Sequence, residues 1–241
     1  MITPYIHTEK VHNLKAPREI VPILLKLFAV NSVLDVGCGT GTWLKAFEEN
    51  SVTDYVGVDG TYVDTDRLMI PSNKFVARDL RGFFSLSRRF DLVLALEVAE
   101  HLPETSADHF VSTLINHGDT ILFSAAVPGQ GGQHHVNEQW PAYWMMKFSA
   151  HGYHFHDVIR SAVWDNENVE WWYRQNIFLV KKGPSASLVL VPAIHPGLYE
   201  QLRSNEAEYR YSLESGRQGV VIAAKIFFNS LRFKFMQMFR S

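Results

Sequence analysis

An α/β fold around a mostly parallel sheet follows from three features of the sequence. Strand-like and helix-like stretches alternate from residue 17 to residue 182. The run "FDLVLALE" (90–97) is apolar on both faces, as strands are when helices cover both sides of a parallel sheet. Glycines stand where helices stop and where a strand must turn sharply into a helix.

The elements follow in order. "PREIVPILLKLFA" (17–29) reads as a helix with Pro17 near its first turn. "SVLDVG" (32–37) is a short buried strand, and "GTWLKAFEEN" (41–50) a helix. "DYVGVD" (54–59), "KFVARDL" (74–80) and residues 90–97 are the next three strands. "TSADHFVSTLINHG" (105–118) is a helix expected to end at Gly118, and "DTILFSAAVP" (119–128) the fifth strand. "QGGQHH" (130–135) is a loop and "EQWPAYWMMKFSAHG" (138–152) a helix. "YHFHDVIR" (153–160) and "RQNIFLVKK" (174–182) complete a seven-stranded sheet. The alternation breaks at "KKGPSAS" (181–187), so the expected organisation is a domain over 1–182 and a helical appendage over 183–241.

Hydrophobic residues make up 46% and charged residues 20% of the 241, an ordinary balance for a folded soluble protein. Cys38 is the single cysteine, which rules out an intrachain disulfide and fits a reducing, cytoplasmic setting. "MITPYIHTEK" has no apolar core of the kind a secretory signal needs. The formal charge of −2 is unevenly spread: the last 26 residues carry five cations and no acid, so residues 1–215 carry −7. An acidic body argues against a nucleic-acid substrate held through its phosphates.

"VLDVGCGTGTW" (33–43) joins the first strand to the next helix. Gly37, Gly39 and Gly41 let the backbone turn tightly and approach a ligand. The spacing is G-x-G-x-G, not the G-x-G-x-x-G of dinucleotide sites. Asp59 ends the second strand, where doubly wound folds place an acid on ribose hydroxyls. Together with "VGVDG", "ARDL" and "FDLVLALEVAEHL", the glycine loop resembles the ordered motifs of class I S-adenosylmethionine-dependent methyltransferases. The four motifs cover residues 32–102, and the strand pattern extends the match to about residue 182. The resemblance implies a Rossmann-like fold and S-adenosylmethionine as methyl donor. It places Asp35 and Gly37 by the methionine moiety, Gly39 and Gly41 in the loop, Asp59 on the ribose, Asp79 and Leu80 around the adenine, and Glu97 at the same edge.

"EVAEHLPE" (97–104) follows the fourth strand. If residues 97–101 form one turn, Glu97, Glu100 and His101 share a face. His134 and His135 follow the fifth strand, whose end should neighbour the fourth. Alternation lets one of the two point inward, and His135 is favoured. E-x-x-E-H with a later histidine resembles the metal set of small-RNA 2′-O-methyltransferases and ubiquinone-pathway O-methyltransferases. By that resemblance Glu97, Glu100, His101 and His135 would hold Mg2+ or Mn2+, which makes an accepting hydroxyl more acidic. The alternative is metal-free, with Glu100 structural and His101 or His135 the catalytic base.

"PGQGGQHHVNEQWPAYW" resembles a stretch in methyltransferases of surface-glycan clusters, which O-methylate sugars. Trp140, Tyr143 and Trp144, and then "VWDNENVEWWYRQN" (163–176), supply aromatics suited to a sugar ring; for Trp144 core packing is the better reading. The expected acceptor is therefore a glycan hydroxyl. The alternatives are the ribose of a small RNA, or a non-catalytic methyltransferase-like partner. The tail "GVVIAAKIFFNSLRFKFMQMFRS" (219–241) is apolar and basic. Its cations interrupt any membrane-spanning run, so peripheral contact with the inner face of a membrane through residues 216–241, packing on the domain, or pairing with a second subunit are the expected uses.

Overall fold

The computed structural model describes residues 12–184 and 194–238; Phe239 and the "SASLVLVPA" stretch lie outside the described residues. The chain divides into two compact units, one running to His195 and one from Pro196 onwards. The first unit thus extends past residue 182, where the repeating pattern stops. His195 belongs to it: its backbone N–H donates to Gln175 Oε1 at 2.8 Å and its ring packs on Trp164.

The elements of the first unit are α1 (Lys15–Leu27), β1 (Ser32–Val36), α2 (Thr42–Glu49), β2 (Asp54–Asp59), β3 (Phe75–Ala77), β4 (Leu92–Leu96), α3 (Ala107–His117), β5 (Thr120–Ser124), α4 (Pro141–Ser149), β6 (Tyr153–His156), α5 (Arg160–Val163), α6 (Trp171–Asn176) and β7 (Phe178–Lys182). The sheet has seven strands in the order β3-β2-β1-β4-β5-β7-β6. All pairs are parallel except those made by β7, which is antiparallel to both neighbours. The order reverses between β1 and β4, so the carboxyl ends of these two strands flank the crevice where open α/β sheets bind ligands.

Alternation within the strands builds one core on each face. Val33, Leu92, Leu94 and Leu96 pack with Ile20, Leu24, Leu44 and Phe47 of α1 and α2. Leu34, Val36, Val93 and Ala95 pack with Phe110 and Leu114 of α3 and Trp144 and Phe148 of α4. Trp144 is thus a core residue, as its position on the helix suggests.

Several boundaries differ from the sequence pattern for local reasons. The third strand is short because Asp79 Oδ1 accepts the Arg81 backbone N–H at 3.0 Å and turns the chain. Residues 171–176 form a helix, so the last strand begins at Phe178 rather than 174. Gly118 does not end α3 in the left-handed conformation; its backbone is extended (φ −165°). Space explains it instead: a Cβ there would lie 2.8 Å from Val93 Cγ2.

The second unit contains α7 (Pro196–Glu214) and α8 (Val220–Met238), joined through Gly216 and Gly219, both at positive φ. No helix among the described residues is long and apolar enough to cross a membrane.

Candidate active site

β1 delivers Asp35 and Val36 to the crevice, and the chain then turns through Gly37, Gly39 and Gly41 with φ of +88°, +53° and +84°. Only glycine takes three such values without strain. Gly37 also has no room for a side chain, since a Cβ would sit 2.3 Å from Val98 Cγ2. The glycine loop is thereby packed on the turn after β4. Asp59, at the end of β2, braces the loop. Its Oδ2 accepts the Gly39 N–H at 2.7 Å, while Oδ1 accepts from the Gly60 N–H at 2.6 Å and the Tyr62 hydroxyl at 2.7 Å. Asp35 is buried, and its Oδ2 has no hydrogen-bond partner. Burial, and then the nearby Asp59 charge, hold its carboxyl well above the ordinary carboxylate range. Cys38 is buried too, and burial followed by the Asp35 and Asp59 charges keeps it a neutral thiol.

Asp79 and Leu80 lie beyond the short β3. Leu80 is buried, but the Asp79 carboxylate is exposed and gripped by the Arg81 guanidinium at 2.6 and 2.9 Å, which lowers its pKa. Trp43 faces the core, edge-on to Tyr173.

The turn after β4 begins at Glu97, a non-glycine residue at φ +55°. Its carboxylate accepts from Gln130 Nε2 at 2.7 Å and Asn176 Nδ2 at 3.3 Å, and its backbone N–H donates to the Ser124 carbonyl and hydroxyl, both at 3.1 Å. Burial raises its pKa against those bonds. A 3-10 turn over Ala99–His101 follows. It carries Glu100, which is fully buried with no partner on either carboxylate oxygen. Burial first and the Glu97 charge second push its pKa far up, and the neighbouring backbone N–H groups of Glu100 and Ala126 oppose this less strongly. Burial and the His135 charge push the His101 pKa down to about 4.

The loop after β5 folds back over this turn. The Val136 and Asn137 N–H groups both donate to the Glu100 carbonyl, at 2.9 and 3.0 Å. His134 takes a left-handed turn (φ +61°) and stays exposed, and this turn, rather than strand alternation, aims His135 at His101. The two rings stand edge to face at 4.8 Å between centroids. Ligand atoms of Glu100, His101 and His135 lie within 4.8 Å of one another. Glu97, expected alongside them, is not among these three; Gln130 and Asn176 hydrogen-bond its carboxylate, and its charge still acts on Glu100.

The residues 8–174 match the family model described as a methyltransferase domain. The chain belongs to this methyltransferase family. It is an S-adenosylmethionine-dependent methyltransferase of class I, and the seven-stranded order with its antiparallel β7 is the frame it shares with solved methyltransferases. The methyltransferase domain of bacterial CtHen1-C is 19% identical with a TM-score of 0.53, covering 71% of this chain and all of that one. An S-adenosylmethionine-dependent methyltransferase from Clostridium acetobutylicum is 12% identical, with a TM-score of 0.54 over 73% of this chain and 94% of that one. The small RNA methyltransferase HEN1 is 17% identical, with a TM-score of 0.51 over 77% of this chain and 28% of that one. At these identities the likeness concerns the fold. No curated protein matches the chain in sequence.

The crevice suits S-adenosylmethionine. Its cation and amino group call for carboxylates rather than lysines, and the unpartnered Asp35 Oδ2 beside a glycine loop offers one. This methyltransferase therefore carries a stability cost at Asp35. A folded-state pKa raised above the unfolded value makes Asp35 stabilising only at low pH, and that contribution is lost as pH rises through the raised value. Asp35→Asn is accordingly expected to raise Tm at pH 8, by about 2–4 °C for each kcal/mol recovered in a domain this size. The gap should close on acidification, while cofactor affinity falls. Scanning calorimetry at both pH values checks this; a pH-independent gap would mean that Asp35 ionises normally.

Four contributors were not singled out from the sequence: Tyr62, Gln130, Glu138 and Asn176. Tyr62 sits three residues after Asp59, and Glu138 three after His135, spacings that do signal a local contact. Asn176 meets Glu97 only because α6 returns to the mouth of the sheet, and nothing in its neighbours marks it.

Proposed function

We propose that this methyltransferase transfers the methyl group to a sugar hydroxyl of a glycan or glycan precursor, with a divalent cation, Mg2+ or Mn2+, at Glu100, His101 and His135. The observation that carries this reading is the buried Glu100 carboxylate, unpartnered and beside two imidazoles at the carboxyl ends of β4 and β5. A buried carboxylate without a donor is costly unless a proton or a cation occupies it. One carboxylate and two imidazoles form a mixed oxygen–nitrogen set that suits manganese and tolerates magnesium.

S-adenosylmethionine supplies the methyl on a sulfonium, and a cation held by Glu100, His101 and His135 would lower the pKa of an accepting hydroxyl. The rest falls to the chain. The glycine loop and Asp59 hold the nucleoside, and Asp35 faces the methionine end. His101, neutral across the physiological range, is available as ligand or as acceptor of the hydroxyl proton. The exposed Trp140 at the start of α4 offers an apolar face to a sugar ring.

A ribose 2′-hydroxyl of small RNA is the second reading. It is favoured by the small-RNA methyltransferase among the fold neighbours and by the same E-x-x-E-H residues. The −7 charge of residues 1–215 disfavours it. Labelled methyl transfer to sugar nucleotides, lipid-linked glycans and small RNA in parallel separates the two. Label in RNA alone would replace the glycan reading.

Glu138 should tune the site through His135. It accepts His135 Nδ1 at 2.9 Å and clips the loop by accepting the Gly129 and Gly131 N–H groups, both at 2.7 Å. Glu138→Ala is expected to lower kcat/KM about 10- to 100-fold, the usual cost of losing a histidine's orienting carboxylate. Cofactor affinity, measured by calorimetry, should hold. Unaltered kinetics would show that His135 needs no such anchor.

A further inference from the structure

Helix α8 exposes apolar side chains all round, among them Val220, Phe227, Phe228, Leu231 and Phe235, with Phe233 exposed to the same degree on the opposite side. At 100° per residue, Val220, Ala224, Phe227, Phe228, Leu231 and Phe235 fall on one arc about 100° wide. Lys225 and Arg232 border one edge of that arc and Lys234 the other. The far side mixes Ile222, Ile226 and Phe233 with Asn229 and Ser230, so the helix is not sharply two-faced. What orients it is the pair of cationic borders beside the phenylalanine arc. From residue 216 to the last residue there are five Lys and Arg and no acid.

We infer that α8 lies in the interface of an anionic lipid bilayer, with the phenylalanine arc inserted below the headgroups and the cations reaching up to their phosphates. Length and charge argue for lying in the plane, since no described helix is apolar enough to cross. Lysine and arginine on the borders of an apolar face are placed to bury their stems and keep their charges at headgroup level. A second copy of α8 is a poorer cover. Two such faces pressed together would set Lys225, Arg232 and Lys234 against like charges, with no acid in residues 216–241 to neutralise them. The inference is independent of the acceptor.

The test is co-sedimentation of full-length protein with vesicles of phosphatidylcholine alone or mixed with phosphatidylglycerol. Binding is expected to the mixed vesicles at low salt, with little to phosphatidylcholine, and release as salt rises. Lys225→Gln combined with Arg232→Gln should lower the partition coefficient about 30-fold. Phe228→Ser combined with Phe235→Ser should also release the protein, and both variants should keep wild-type affinity for S-adenosylmethionine, which confirms a folded domain. Failure to bind phosphatidylglycerol vesicles at low salt overturns the inference. So does binding that neither double variant reduces. Self-association lost in the phenylalanine variant, without vesicle binding, would assign the arc to a second copy instead.

Discussion

Gly39→Val is expected to abolish S-adenosylmethionine binding in a chain that still folds. Gly39 sits at φ +53° in the middle of the loop, with its N–H held by Asp59 Oδ2 at 2.7 Å. A β-branched residue is a genuine outlier at that angle. The strain costs on the order of 1–3 kcal/mol, which a domain with an ordinary 5–15 kcal/mol of stability survives. Binding survives less well. The loop must either rotate its peptide away from Asp59 or set two methyl groups into the crevice that the cofactor needs. Titration calorimetry reads the result directly, and circular dichroism checks the fold. Affinity within a few-fold of wild type would mean that the donor does not approach this peptide. Gly37→Ala makes a useful contrast. Its Cβ would strike Val98, so it should disturb the Glu100 turn as well as the glycine loop.

Chelation should remove methyl transfer almost completely, and Mn2+ or Mg2+ should restore it. The expected loss is at least 100-fold if the cation makes the hydroxyl acidic. Glu100→Ala should imitate the chelated protein and be insensitive to added metal. Cofactor binding should survive both treatments, because none of the three trio residues hydrogen-bonds the glycine loop or Asp59. If transfer persists through exhaustive chelation, the trio works as an acid–base pair with a structural carboxylate. The kcat/KM profile would then report His101 directly, with a break near its lowered value of about 4 rather than near 6.5.

The fold was legible because the strands of the parallel core are short, mainly apolar runs, wholly so in β4 and broken by Asp35 in β1 and Gly57 in β2. β2, from Asp54 to Asp59, has the bounds its pattern predicts. Helices α5 and α6 were not legible. Four and six residues are too few for a 3.6-residue period to declare itself, and the aromatics at 171–173 read equally well as a loop lining a pocket. Within the site, Glu100 and His101 were legible because they share one short turn after β4, whereas His135 reaches them through the left-handed turn at His134, which alternation does not reveal. Glu97 belongs to the same motif yet turns to Gln130 and Asn176, a choice made by residues 33 and 79 positions away. Asp79 was expected near an adenine, and its grip on Arg81 is a neighbour effect that the motif alone does not reveal.

The double hydrogen bond from Val136 and Asn137 to the Glu100 carbonyl bears on the order in which the site is assembled during synthesis. The glycine loop and its brace, Asp59, have emerged by residue 62. The turn that carries Glu100 emerges some forty residues later, but its backbone is not tied down until residue 137 follows, and Glu97 waits longer still, for Asn176. The turn that carries Glu100 is thus closed only by chain that follows β5, and a truncation before residue 128 would leave its carbonyl without the two donors that hold it.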